Sequence, residues 1–290
     1  MNKNNQSLFD KHQDILSFRD LAPSTVTTYT SYLKSYIGWV EENLPGRPLY
    51  SVTWEEIRSY VRYLKDIRLL NPRTINVHIS QLRDFYFYVL HKDWDYREVP
   101  LLHFDEKLPI VPTKAEVNAL IDSISNPKHK AEIALLYSSG IRISELCRLK
   151  CRDIIRGRRC IHIEKSKNRS ERYAVLSEKA LVLLVRYVKT AYRDATLDSW
   201  LFPGQHAGKH ICTGTIEKVF SDHLADAGIA GKGYVPHSLR HAFGLHLYEA
   251  GTDLMSIKEA LGHKSLSSTT IYLTLGIGNG RTVRSPYDAD

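Results

Sequence analysis

No run of about 18 consecutive apolar residues occurs in the sequence, which argues against a membrane-spanning helix. The opening MNKNNQSLFDKHQDILSF is polar, and it lacks the apolar core and small-residue cleavage site of a secretory signal. Cysteine is scarce. The four present, Cys147, Cys151, Cys160 and Cys212, show no paired C-x-x-C spacing, so neither a disulfide framework nor a structural zinc is expected. Internal repeats and low-complexity tracts are missing too. Together these absences lead us to expect a cytoplasmic protein with no membrane partner and no metal.

What is present points towards a polyanion. The chain has 290 residues, 43% of them apolar, enough for one large domain or two modest ones. Its formal net charge is +8 and its sequence pI about 9.2, and nucleic acid is the commonest partner of such a surface. Charge alone decides nothing, because many modestly basic proteins bind no polyanion.

The first hundred residues read as a small helical domain. Val26, Tyr29, Leu33, Tyr36, Ile37, Val40 and Leu44 follow the three-to-four spacing of one buried face. Thr53 and Glu56 form a capping-box signature ahead of Ile57, Val61 and Leu64. Asn71-Pro72 starts a further helix whose buried face is Ile75, Ile79, Leu82, Tyr86 and Val89. Two polar stripes lie opposite these faces. Arg58, Arg62 and Lys65 line one helix, while Arg73, Asn76, Ser80 and Arg83 line the next. Those types suit phosphate and base-edge contacts, and they equally suit a solvated face.

HKDWDYREVPLLHFDEKLPIVPT then has three prolines and no helical period, as an interdomain linker would. We expect an N-terminal domain over 1–98, a linker over 99–112, a second domain over 113–275 and a polar tail over 276–290. In the second domain Thr113 and Glu116 form another capping box, a helix over 128–139 ends at Gly140, and IRISELCRLKCRDI reads as a helix. Ile161 and Ile163, a charged turn, then Tyr173 and Val175 read as a small hairpin or meander. Helices are expected again near 177–193, 215–227, 238–250 and 254–261. The fold class is therefore mainly α with a small antiparallel sheet.

Taken singly, the polar residues of this second domain are unremarkable. His237 and Arg240, three apart, face the same way at a helix start. Arg142 follows Gly140 and could simply pair with Glu145. Gly262 stops a helix and displays His263, with Tyr272 nine residues later beyond a Ser/Thr-rich turn.

As an ordered set they mean more. Arg142, a lysine on the charged turn, His237-x-x-Arg240, Leu261-Gly262-His263 and Tyr272 together resemble the tyrosine recombinases, or phage integrase family, and its compact Xer-type members most. The stretches that carry the likeness are SSGIRISELCRLKCRDI, ERYAVL, WLFPG, PHSLRHAFGLHLYEAGTD and LGHKSLSSTTIY, with PSTVTTYTSYLKSYIGWV and TINVHISQLRDFYFYVL resembling the core-binding domain.

The resemblance implies a site-specific recombinase that cuts and rejoins DNA through a 3′-phosphotyrosyl link, without metal, ATP or other cofactor. Tyr272 matches the nucleophile, Arg142 and Arg240 the phosphate-binding arginines, and His237 and His263 the two histidines. Lys167 matches the general acid when counted back from Glu171-Arg172; a one-gap shift selects Lys165. The implied partner is double-stranded DNA with inverted-repeat core sites, gripped by two domains in a C-shaped clamp. The implied assembly is a homo-tetramer, alone or with a second recombinase subunit. Only 18 residues follow Tyr272, without a clear amphipathic helix, which is short for the family's usual C-terminal exchange. A topoisomerase of type IB and a DNA-binding protein without catalysis are the alternatives. Neither the target sequence nor the biological role, from chromosome-dimer resolution to phage integration or transposon movement, can be read from the residues.

Overall fold

Four helices build the first unit, and local signals in the sequence place most of them. In the computed structural model, which describes residues 1–105, 107–164 and 171–278, they are α1 (Lys3–Phe18), α2 (Pro23–Asn43), α3 (Trp54–Arg62) and α4 (Pro72–Tyr88). Thr53 and Glu56 close the capping box of α3, and the Asn71 side chain accepts from the Thr74 backbone N–H to start α4. Leu33, Tyr36, Ile37, Ile57, Ile75, Ile79 and Leu82 meet in one apolar core. The helix α1 was not expected. It buries Asn5, Phe9, His12 and Leu16, a face half polar, which hides its period from a hydrophobic pattern.

Contacts divide the chain into Met1–Glu106 and Lys107–Asp290, a break that falls within the proline-containing 99–112 stretch. Val99 is buried in the first core, whereas Val111 packs on the second.

The second unit is mostly helical: α5 (Lys114–Ser123), α6 (Pro127–Ser139), α7 (Ile143–Cys147), α8 (Glu178–Ala191), α9 (Thr213–Asp226), α10 (Pro236–Glu249), α11 (Leu254–Leu261) and α12 (Ser267–Gly278). Its sheet has three antiparallel strands in sequential order, β1 (Ile154–Ile155), β2 (Cys160–Ile163) and β3 (Arg172–Val175). The expected meander is present, and along β3 Tyr173 and Val175 face solvent while Ala174 turns to the core. Two expectations need correcting here. The helix read across IRISELCRLKCRDI is only the short α7, followed by a 3-10 turn at Cys151–Asp153. The Ser/Thr-rich run before Tyr272 is largely the first turn of α12 rather than a loop. Among the described residues no helix is long and apolar enough to cross a membrane.

Two left-handed glycines end the helices that matter for the site. Gly140 caps α6 at φ +60°, and a Cβ there would stand 2.4 Å from Phe243 Cδ1. Gly262 caps α11 at φ +62°, where a Cβ would meet the Arg172 side chain at 2.5 Å.

In the core of α6 lies a carboxyl with no counterpart. Glu132 is 0% exposed, and neither oxygen has a hydrogen-bond partner among the described residues. Burial pushes its pKa up to about 7, against a small opposing pull from Lys128. The folded pKa exceeds the unfolded one, so the protonated form is stabilising; that stability is complete below about pH 4.5 and is lost as pH rises through about 7. Glu132→Gln should remove this loss. Denaturant unfolding at pH 5 and pH 8 should show the variant gaining on wild type by on the order of 2–3 kcal/mol at the higher pH. Equal pH dependence in the two proteins would contradict the burial argument.

Candidate active site

The cluster is assembled at helix ends. Arg142 sits two residues past the Gly140 cap and occupies the N-cap position of α7. His237 and Arg240 lie in the first turns of α10, whose start is set by Pro236 at the first helical position. His263 directly follows the Gly262 cap of α11, its backbone N–H returning to the Lys258 carbonyl at 3.0 Å. Tyr272 is carried by α12, which packs against both α10 and α11.

Arg240 is nearly buried, at 3% exposure. Its guanidinium donates through Nη1 to the Gly140 carbonyl and through Nη2 to the Leu261 carbonyl, the latter at 2.6 Å. Burial, with the charge of Arg142 close by, brings its pKa down to about 9. Arg142 is more open. Its backbone N–H and its Nη1 both reach Glu145, at 2.8 and 3.0 Å.

Glu145 is the counterion of the cluster and was noted from the sequence only as a partner Arg142 could have. It also takes a two-point ion pair from Arg172 at 3.0 and 2.9 Å, with both side chains nearly buried. Burial alone would raise its carboxyl, yet the Arg172 hydrogen bonds, the Arg142 N–H and the two charges hold it at about 2. The Arg142-x-x-Glu145 spacing at a helix start could have revealed this hub. Arg172, fixed on β3 by long-range pairing, had no such local signal.

Every histidine here is held neutral. His263 falls to about 4 through burial and the charges of Arg240 and Arg142; its Nδ1 lies 2.9 Å from Thr269 Oγ1. His237, an exposed residue, is lowered by partial desolvation, then by Arg240 and Arg142. His241, absent from the sequence reading, stands edge-to-face with His237 at 4.8 Å and with Tyr272 at 6.3 Å. Burial and the adjacent His237 and Arg240 bring it to about 4.

Tyr272 is fully buried, and its hydroxyl has no hydrogen-bond partner among the described residues. Burial pushes its pKa up to about 12, opposed by Arg240. The ring lies on the α10 backbone at Gly244, where a Cβ would come within 2.6 Å of the hydroxyl oxygen. Lys167 and Lys165 both lie outside the described residues. No cluster of three or more metal-ligating side chains occurs among the described residues.

The polar stripes of the first unit are more paired than the sequence suggests. Arg58 binds Glu55 and Glu98 at 2.6 and 2.5 Å, and Arg62 reaches the same Glu55 at 3.1 Å. Arg83 donates to the Tyr96 hydroxyl at 2.6 Å, and Arg73 lies over the Phe104 ring at 5.4 Å. Lys65 is exposed in a π-helical turn. Asn76 departs from expectation: both ends of its amide are engaged by the Leu102 backbone, at 2.8 and 2.7 Å, so it clasps the following segment. Ser80 donates to the Asn76 carbonyl at 2.8 Å, a bond within its own helix.

Known proteins resemble this chain in sequence and in fold. The sequence model described as "Phage integrase family" matches residues 111–276, and "Phage integrase, N-terminal SAM-like domain" matches residues 8–96. A putative integrase/recombinase of Sinorhizobium fredii is 37% identical over 236 residues, covering 81% of this chain and 92% of that protein. The tyrosine recombinase XerD of Caulobacter vibrioides is 33% identical over 270 residues, covering 88% and 87%. Among solved structures, a lambda integrase dimer bound to a COC′ core site superposes with a TM-score of 0.73 at 20% identity, over 97% of this chain and 98% of that one. A Tn1549 transposon integrase with circular-intermediate DNA gives 0.74 at 20% identity, over 93% and 95%.

The two arginines should separate in their effect on stability. Arg240→Ala leaves two buried helix-end carbonyls without a donor and should cost on the order of 2–5 kcal/mol in denaturant unfolding. Arg142→Ala should cost no more than about 1–2 kcal/mol, because Glu145 keeps Arg172. The reverse ranking would mean that Arg240 does not hold the helix ends.

Proposed function

The chain belongs to the phage integrase family, and on that footing we propose that it is a site-specific DNA recombinase with Tyr272 as nucleophile. The Tyr272 oxygen attacks the phosphorus of a DNA phosphodiester, and the bond to the 5′ oxygen breaks. A 3′-phosphotyrosyl link forms; the tyrosine gives up one proton and the departing 5′ oxygen takes one. Attack on the link by the 5′ hydroxyl of another strand restores a phosphodiester and exchanges strands, with no energy source beyond the link itself.

One observation supports the assignment of the site: Arg240, within electrostatic reach of Tyr272, also binds the Gly140 and Leu261 carbonyls, which lie two residues before Arg142 and His263 respectively. Two guanidiniums and a neutral imidazole donor suit the nonbridging oxygens, whose charge grows in the transition state. His237, exposed at the rim and kept neutral, can accept a proton from the nucleophile. Lys167 is the proton donor to the 5′ oxygen, with Lys165 the neighbouring alternative. Tyr272 must leave its seat on Gly244 before it can attack, since its hydroxyl is enclosed there.

DNA is the partner, and the surface arginines of α3 and α4 support its binding. Ion pairs as exposed as Arg62 with Glu55 are worth little, so a phosphate can replace the carboxylate at small cost. Core sites in inverted repeat and a tetramer on two such sites complete the reading, with action in the cytoplasm.

Covalent trapping tests it. Incubation with nicked duplexes from the DNA flanking its own gene should give an SDS-resistant adduct that Tyr272→Phe abolishes. Specific binding with no adduct on any such duplex would favour a binder without catalysis. A substrate with a 5′-thiol leaving group settles the lysine: it should rescue Lys167→Ala and leave Lys165→Ala as on ordinary DNA. Rescue of Lys165→Ala instead would move the role there.

A further inference from the structure

A neutral imidazole has one nitrogen that donates and one that accepts, and which is which depends on its partners. His263 is such a ring, held neutral by burial and two arginines. To stabilise an anionic phosphate oxygen its Nε2 must carry the hydrogen, which leaves Nδ1 as an acceptor. The group facing Nδ1 therefore has to be a donor, and it is the hydroxyl of Thr269 at 2.9 Å.

Thr269 is not a surface threonine that happens to reach a ring. It is 0% exposed. Threonine in a helix commonly turns its hydroxyl onto the backbone of the preceding turn, as neighbouring Thr270 does with the Ser267 carbonyl at 2.9 Å. Thr269 points away from its own helix to the imidazole instead. It also lies three residues before Tyr272, so the bond fastens the histidine loop to the base of the helix that carries the nucleophile.

We propose that Thr269 is a positioning residue, whose hydroxyl donates to Nδ1 and fixes His263 as the Nε2–H tautomer aimed at the DNA phosphate. The assignment rests on the reading of His263 as a phosphate-stabilising group. Thr269→Val keeps the shape and removes the donor; Thr269→Ser keeps the donor. Thr269→Ala serves as a second hydroxyl-free variant if valine does not fold.

The tautomer is read first, in the free protein, from long-range proton–nitrogen NMR of 15N-histidine, with the His263 signals identified by their loss in His263→Gln. Wild type and Thr269→Ser should show Nε2–H, and Thr269→Val a mixture or Nδ1–H. An Nδ1–H wild type, or a valine variant with an unchanged tautomer, overturns the proposal whether or not the protein cuts DNA. Single-turnover adduct formation is read second. Thr269→Val should slow it by about tenfold to a hundredfold, the usual cost of losing a histidine's outer partner, and serine should restore it. In a His263→Gln background the valine change should have no further effect. An equal loss in both backgrounds would make Thr269 a packing residue only and sink the proposal. If wild type forms no adduct at all, the recombinase reading fails, and the tautomer measurement still decides the role of Thr269.

Discussion

The guanidinium of Arg240, buried between two helix C-termini, is the interaction on which the cluster depends. A helix end leaves carbonyls unpaired and carries partial negative charge. The ends of α6 and α11 present such carbonyls at Gly140 and Leu261, and Arg240 donates to both. Those two carbonyls compensate much of the cost of burying the charge without a carboxylate. They also fix the site, because Arg142 lies two residues after Gly140 and His263 two residues after Leu261. One side chain thus sets the relative place of three. The glycine caps belong to the same device, for a Cβ at Gly140 would collide with Phe243 and one at Gly262 with Arg172.

The charges around this device are deliberately unbalanced. Glu145 is committed to Arg142 and Arg172, and its depressed pKa shows how much positive field it sits in. Burial first, and the neighbouring positive charges after it, lower the basicity of Arg240 and keep three histidines neutral. An anion entering the cluster would offset the repulsion among these positive charges. A phosphodiester has the charge and the oxygen geometry to do so, and its transition state has more of the former.

Parts of this were legible in the sequence because they rest on local chemistry. The capping boxes at Thr53 and Thr113, the Asn71-Pro72 start and the Gly140 stop each involve residues within one turn of one another. The ordered set from Arg142 to Tyr272 was legible as a family likeness, and the fold brings the described members together. What escaped was set by tertiary partners. The face of α1 is half polar, so no hydrophobic period announced it. The Ser/Thr run that opens α12 has turn-forming composition, and packing on α10 and α11 overrides it. Asn76 has the right type for reading a base, but the Leu102 backbone takes its amide. Thr269 looks like any other hydroxyl in its run until the ring of His263 is placed beside it.

Gly244 explains how Tyr272 is stored. A glycine inside a helix costs roughly 1 kcal/mol against alanine, so its presence in α10 calls for a contact that alanine would forbid, and the Tyr272 ring is that contact. Burying an aromatic ring stabilises the seat by roughly 1.5–3 kcal/mol. The hydroxyl enclosed with it lacks a partner among the described residues, which costs about 1–3 kcal/mol. The two terms are of similar size and opposite sign. The seat therefore holds Tyr272 weakly, and it holds it protonated, since burial disfavours the phenolate. On the proposed reading, a phosphate bound at Arg142, Arg240 and His263 would offer the hydroxyl the polar surroundings that the seat denies it. Release of the tyrosine and binding of DNA would thereby be drawn to the same side of one equilibrium.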